Sequence, residues 1–133
     1  MNENAEERSR IMRTVKGVDT EPEMVVRRLA HSLGYRYRLH CGDLPGKPDM
    51  VFPGRRKIIF IHGCFWHGHG CSRGNRIPKA NREYWLRKIA RNGERDVATM
   101  AALAAMGWEV IIVWECEVKD EDQVVRRLRR FLH

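Results

Sequence analysis

Between Gly63 and Pro78 the chain is too poor in apolar side chains to pack itself, and the stretch is long enough to need a staple or a ligand. Three soft or borderline metal ligands fall inside it, in the spacing Cys64-x4-His69-x-Cys71. A fourth, Cys116, comes just after the apolar run from Trp108 to Trp114, where a sheet could bring it back. Structural zinc takes four such ligands in a tetrahedron. The spacing is not that of the common finger, and His31, His62 and His67 compete as ligands. Cys116 read alone is an ordinary core cysteine. Read together, Cys64, His69, Cys71 and Cys116 are expected to hold one structural Zn²⁺, leaving Cys41 as a plain thiol. The N-terminus, MNENAEERSRIMR, is polar and charged, so it does not read as a signal peptide. No apolar run approaches the roughly 18 residues of a membrane span. The expected location is the cytoplasm, where four cysteines point to metal or catalysis rather than disulfides.

The chain has 133 residues, enough for one domain and too few for two comfortable ones, and 43% of them are hydrophobic, which allows one real core. We expect a single domain over 1–133, with 1–19 as an arm that lacks an apolar period. Thr20 and Glu23 have capping-box spacing, and Pro22 suits a first helical turn. The helix should run to about Leu33, bury Val26, Leu29, Ala30 and Leu33, and stop at Gly34. Tyr35 to His40 alternates as a strand. After a loop dense in turn formers, Asp49 opens a short strand, Met50 to Phe52, and Lys57 to Ile61 forms another. Asp49 and Ile61 could therefore lie side by side on a hairpin. Asn81 is placed to cap a helix that Gly93 breaks, with a second helix ending at Gly107. Trp108 to Trp114 reads as a central strand and Asp120 opens a closing amphipathic helix. The expected order is αβββααβα, an α/β or α+β domain with a small mixed sheet.

Charge narrows the partner. Lys and Arg outnumber Asp and Glu by 25 to 17, and the stretch from Arg73 to Arg95 alone carries +6 of the net +8, with Tyr84 and Trp85 interleaved. Basic residues mixed with aromatics favour a nucleic acid. Pro48-Asp49 at a strand start resembles the metal-holding Asp of PD-(D/E)xK nucleases, since a carboxylate is the hard oxygen ligand that Mg²⁺ prefers. The usual Glu-x-Lys is missing; the equivalent strand end reads Ile61-His62-Gly63. A histidine is the natural base near neutral pH. Adjacent Phe65-Trp66 in a polar loop is unusual, since aromatics prefer burial, whereas an exposed pair could unstack a weak base step.

The segments GDLPGKPDMVF, FIHGCFWHGHGC, EYWLRKI, ERD and GWEVIIVWEC together resemble the very short patch repair (Vsr) mismatch endonucleases, over about Arg8 to Cys116. The resemblance implies a restriction-endonuclease-like (PD-(D/E)xK-type) α/β domain, with a central mixed sheet flanked by helices and a structural zinc site. It implies a Mg²⁺-dependent endonuclease that nicks double-stranded DNA 5′ of the mismatched T in T:G mispairs left by deamination of 5-methylcytosine. By position, Asp49 matches the Mg²⁺ ligand and Ile61 a second ligand through its main-chain carbonyl. His67 matches the general base, Asp96 its carboxylate partner, and Glu23 and His62 active-site helpers. Cys64, His69, Cys71 and Cys116 match the zinc ligands. Phe65, Trp66 and Trp85 match DNA-wedging aromatics, and Met12 a DNA-contacting residue of the arm. For Trp85 a place in a helix core is the competing reading, and for Met12 an unstructured arm. Ile61 stands where Thr is frequent, keeping the carbonyl and losing a hydroxyl; Gly68 and Gly70 stand in a loop richer in histidine elsewhere. Expected partners are the mismatched duplex and mismatch-repair proteins, with no membrane, and the expected state is a monomer. The competing functions are a restriction-like nuclease cutting intact duplexes and a non-catalytic zinc module that only binds DNA.

Overall fold

The computed structural model describes residues 20–71 and 77–133. The expectations for the arm 1–19, for Met12, and for Arg73 and Arg76 of the basic stretch therefore lie outside the described residues. Helix α1 spans Glu21–Ser32, with Pro in its first turn; Thr20 caps it, its hydroxyl accepting from the Glu23 N–H at 3.4 Å. Val26, Leu29 and Ala30 are buried as expected, and Leu33 closes the helix before Gly34 turns the chain at φ +90°. The carboxylate of Glu23, expected at the helix end, reaches inward to Arg27.

Four strands follow in the spatial order of the chain: β1 (Arg38–Leu39), β2 (Met50–Phe52), β3 (Lys57–His62) and β4 (Glu109–Trp114). β1 is shorter than the alternation from Tyr35 to His40 predicts. It covers only the two residues that pair with Val51 and Met50, because β2 itself offers only three. β1–β2 and β2–β3 are antiparallel and β3–β4 is parallel, so the sheet is mixed. A 3₁₀ turn, Pro53–Arg55, closes the β2–β3 hairpin with Arg56 at φ +56°.

Three expectations fail. Gly93 does not break a helix: α2 runs without interruption over Arg82–Ala105. A glycine lowers helix stability by only about 1 kcal/mol, and the good helix formers around it carry the turn through. Nor does the side chain of Asn81 cap α2; the residue sits in the left-handed region at φ +56°, with no cap bond from its side chain. The order is thus αβββαβα. The apolar run in β4 does not mark a central strand either, since β4 ends the strand order. It is apolar because both its faces are covered.

On one face Ile111 and Val113 join Met50, Phe52 and Ile59 under α1 and under helix α3 (Glu121–Leu132), which buries Val124, Leu128 and Leu132. Asp120 caps α3, accepting from the Gln123 N–H at 3.2 Å. On the other face Val110 and Ile112 pack with Val51, Ile58 and Phe60 beneath Leu103 and Met100 of α2. The result is three layers, α/β/α. Among the described residues no helix is long and apolar enough to cross a membrane. A Cβ added at Gly93 meets nothing within 4 Å. Gly93→Ala should therefore raise stability by roughly 0.5–1 kcal/mol; a thermal melt that falls instead would show strain at this turn.

Candidate active site

The parallel strands β3 and β4 end at the same edge, and both continue into site residues. β3 closes on Ile61 and His62 and leads to Cys64; β4 closes on Trp114 and leads to Glu115 and Cys116. In open α/β sheets this carboxyl end is where ligands bind. Three clusters meet there.

The first is carboxylate-rich. Since Leu39 pairs with Met50, the next position outward sets His40 opposite Asp49, and their backbones bond at 3.4 Å. Asp49 follows the buried Pro48 and accepts the Ile61 N–H at 2.7 Å through its carboxylate. The hairpin thus brings together the two residues the sequence paired. From α1 comes Glu23, only 2% exposed. One ligand atom each of Glu23, His40 and Asp49 lie within 4.8 Å of one another. Burial pushes the Asp49 carboxyl up to about 7; the Ile61 N–H opposes this, and neighbouring Glu23 reinforces it. Arg27, one turn beyond Glu23, donates to its carboxylate at 2.7 Å and to His40 Nε2 at 2.9 Å. Neither Arg27 nor His40 was singled out from the sequence. Arg27 had a legible signal, the i, i+4 spacing from Glu23; His40 had none, because only the β1–β2 register places it.

The second cluster is His62, His67 and Asp96. His67 Nδ1 lies 2.7 Å from Asp96 Oδ2, which selects the tautomer with its proton on Nδ1 and leaves Nε2 as an acceptor. His62 stacks on His67, centroids 3.7 Å apart and planes within 7°. Buried His62 is pushed down to about 4, by burial first and by His67 second, with Asp96 opposing. Asp96 comes from the middle of α2, so the unbroken helix is what delivers it.

The third cluster is Cys64, His69, Cys71 and Cys116, whose ligand atoms all lie within 4.8 Å of one another. Cys116 Sγ and His69 Nδ1 are 3.6 Å apart. His31, His62 and His67 are not in this group. Burial pushes the Cys64 thiol up to about 12. Trp114, read from the sequence only as strand core, stacks on His69 at 4.2 Å and meets His62 edge-on at 5.3 Å. It therefore spans two clusters. Cys41 is half-buried against the second core and joins none of them.

The loop between these ligands lies along α2. Asn92 donates to the Trp66 carbonyl at 2.7 Å. Gly68 has φ +66°, and a Cβ there would come within 2.8 Å of Ile89 Cγ2, so glycine is required rather than merely tolerated. Phe65, Trp66 and Trp85 form a half-buried triad of edge-on rings, centroids 5.2 to 5.8 Å apart. Lys88 Nζ stands 5.5 Å from the Trp66 ring centroid. Trp85 thus packs against the loop rather than in the helix core.

A family described as DNA mismatch endonuclease Vsr matches residues 3–73. The chain is 53% identical over 127 residues to the type II nicking enzyme V.XorIIP of Xanthomonas oryzae pv. oryzae, covering 96% of this chain and 93% of that protein. To the type II nicking enzyme V.NmeAIP of Neisseria meningitidis serogroup A it is 42% identical, covering 94% and 89%. To the DNA mismatch endonuclease Vsr of Escherichia coli K12 it is 39% identical, covering 88% and 74%.

The low pKa of His62 has a consequence without any ligand. The unfolded chain protonates this ring near 6.5 and the folded chain only near 4. Its contribution to stability is therefore complete above about pH 6.5 and is lost as the pH falls towards 4. In a proton NMR titration of metal-free protein His62 should stay neutral to below pH 5; a midpoint near 6.5 would contradict the buried, stacked geometry.

Proposed function

The chain belongs to the DNA mismatch endonuclease Vsr family and is a DNA endonuclease, a hydrolase of phosphodiester bonds; from this premise we propose that it nicks T:G-mismatched duplexes 5′ of the mismatched T. The observation that carries the reading is the His67–Asp96 pair at 2.7 Å, stacked on His62 beside the Asp49–Ile61 hairpin end. His67, oriented by Asp96, accepts the proton of the attacking water at Nε2. Single-strand cutting agrees with relatives named nicking enzymes, and it needs one active site, so a monomer suffices.

Mg²⁺ fits the first cluster: Asp49 and Glu23 offer hard oxygen, and a carboxyl held up near 7 by burial is one that a cation would help to ionise. Asp49 and the main-chain carbonyl of Ile61 would hold it, and it would stabilise charge on the phosphate. Glu23 and His62 assist from either side. The third cluster suits zinc by donor chemistry and size. A tetrahedron with Zn–S of about 2.3 Å and Zn–N of about 2.0 Å would have an S···N edge of about 3.5 Å, close to the 3.6 Å between Cys116 and His69. Its role would be to fix the loop carrying Phe65, Trp66 and His67. A restriction-endonuclease-like fold is consistent with the mixed four-stranded sheet. The aromatic triad is suited to opening a base step, which costs a few kcal/mol and least at a mismatch; a DNA contact for Met12 rests on the family resemblance alone.

Asp49→Ala and His67→Ala should each lower nicking of a T:G duplex by at least a hundredfold while binding persists, measured by gel assay and band shift; full cutting by either refutes its role. Equal cutting of T:G and T:A duplexes would favour a nuclease of intact DNA. For the zinc, His69→Ala should lose metal by elemental analysis and His67→Ala should keep it; the reverse would reassign the ligands.

A further inference from the structure

Trp114 stands where two of the three clusters meet. It is the last residue of β4 and pairs in register with His62, the last residue of β3, so the two side chains share a face of the sheet. Its indole stacks on His69, planes within 15°. It meets His62 at 76° and His67 at 70°, with centroids 5.3 and 6.4 Å away. Stacked and edge-on pairs are the arrangements that aromatic rings prefer. The backbone beneath the indole is fixed as well. The Trp114 N–H donates to Glu117 at 3.2 Å, and Arg127 of α3 donates to the other oxygen of that carboxylate at 2.6 Å.

The His62 ring needs such a brace. Its Nδ1 is buried without a hydrogen-bond partner among the described residues, and Asp96 Oδ2 is 4.0 Å away, beyond hydrogen-bond reach. That nitrogen does not hold the ring; the rings packed around it do, Phe60 at 5.6 Å, Trp114 and His67. His67 is bonded to Asp96 through Nδ1. A bond at one ring nitrogen fixes the distance to the carboxylate but lets the ring pivot about it, and the aim of Nε2 changes with that pivot. The parallel stack on His62, planes within 7°, removes this freedom. A misplacement of about 1 Å at a reacting group can cost roughly a hundredfold in rate.

We propose that Trp114 is a positioning residue for the reaction: its indole braces His62, His62 sets the plane of His67, and His69 backs the indole from the soft-ligand cluster. The inference rests on the reading that His67 is the base and that Cys64, His69, Cys71 and Cys116 hold zinc. That cluster then reaches the base by two routes, along the loop from His69 to His67 and across the sheet end through Trp114 and His62. A flat ring is what the position requires. Leucine would fill part of the space but offer His69 and His62 no ring to pack on, whereas phenylalanine keeps one.

The test compares zinc-loaded wild type, Trp114→Phe and Trp114→Leu by elemental analysis, by single-turnover nicking of a T:G duplex, and by nuclear Overhauser contacts between ring protons. Trp114→Leu should keep its zinc and its Kd for the duplex, yet nick roughly ten- to a hundredfold more slowly at saturation. Its contacts between the His62 and His67 rings should be lost. Trp114→Phe should recover most of the rate and those contacts. A merely structural role would lower the melting temperature and leave the rate of the folded protein unchanged. Wild-type nicking by Trp114→Leu therefore overturns the proposal, as does a Trp114→Phe no faster than Trp114→Leu. Loss of zinc from Trp114→Leu assigns the indole to the metal site alone and also overturns it. Trp114→Met serves the same comparison where Trp114→Leu does not fold. In the wild type, a missing contact between the Trp114 and His62 rings overturns the proposal whatever the variants do. Full cutting by His67→Ala removes the reading of the base and this inference with it; an inactive His67→Ala beside a fully active Trp114→Leu removes the inference alone.

Discussion

The parallel pairing of β3 with β4 carries the rest of the molecule. Because Ile61 aligns with Val113 and His62 with Trp114, both strands end together, and the chain leaves them at one edge. Everything reactive follows from that shared end. The loop from Cys64 to Cys71 returns to meet Cys116, α2 lies along the loop and offers Asp96 to His67, and the β2–β3 hairpin swings Asp49 against Ile61. The pairing is held by burial on both faces rather than by its own bonds. Parallel strands form no short hairpin, and the crossover through α2 repays its ordering only when Leu103 and its neighbours cover the second core.

Electrostatically, the site stores groups in states that water would not choose. Asp49 is held towards its neutral form, His62 is kept uncharged, and the Cys64 thiol is kept protonated, each by burial before any other cause. Two of these three, Asp49 and Cys64, become anionic ligands once they lose the proton, and the clusters around them have the donor types of a hard and a soft cation respectively. Arg27 makes the contrast sharper. Where a permanent positive charge is present, Glu23 is matched at 2.7 Å.

Much of the site was legible from side-chain chemistry. The four soft ligands were legible as one cluster because such ligands in a loop without apolar cover have few other uses, and the structure gathers those four without His31, His62 or His67. Asp49 beside Ile61 followed from hairpin arithmetic. Helix starts at Thr20 and Asp120 were readable because a hydroxyl or carboxylate two or three residues ahead of an amide makes a local bond. The failures share one cause. Gly93, β4 and Asn81 were judged by local propensity, and in each case packing or neighbouring turns overrode a local term of about 1 kcal/mol or less.

By itself, then, the sequence determined which atoms are available: four soft ligands, a candidate histidine–carboxylate pair, an aromatic loop and a basic flank. It also determined the local turns that begin α1 and α3, since those bonds span only a few residues. Only the tertiary structure decided which of these atoms meet. The seat of Arg27 between Glu23 and His40 depends on the register of β1 against β2, and the bridge of Trp114 between His69 and His62 depends on where β3 and β4 end. Register is a long-range property: a slip of one residue would turn every side chain to the other face, and nothing within a few residues of His40 or Trp114 encodes which slip is avoided.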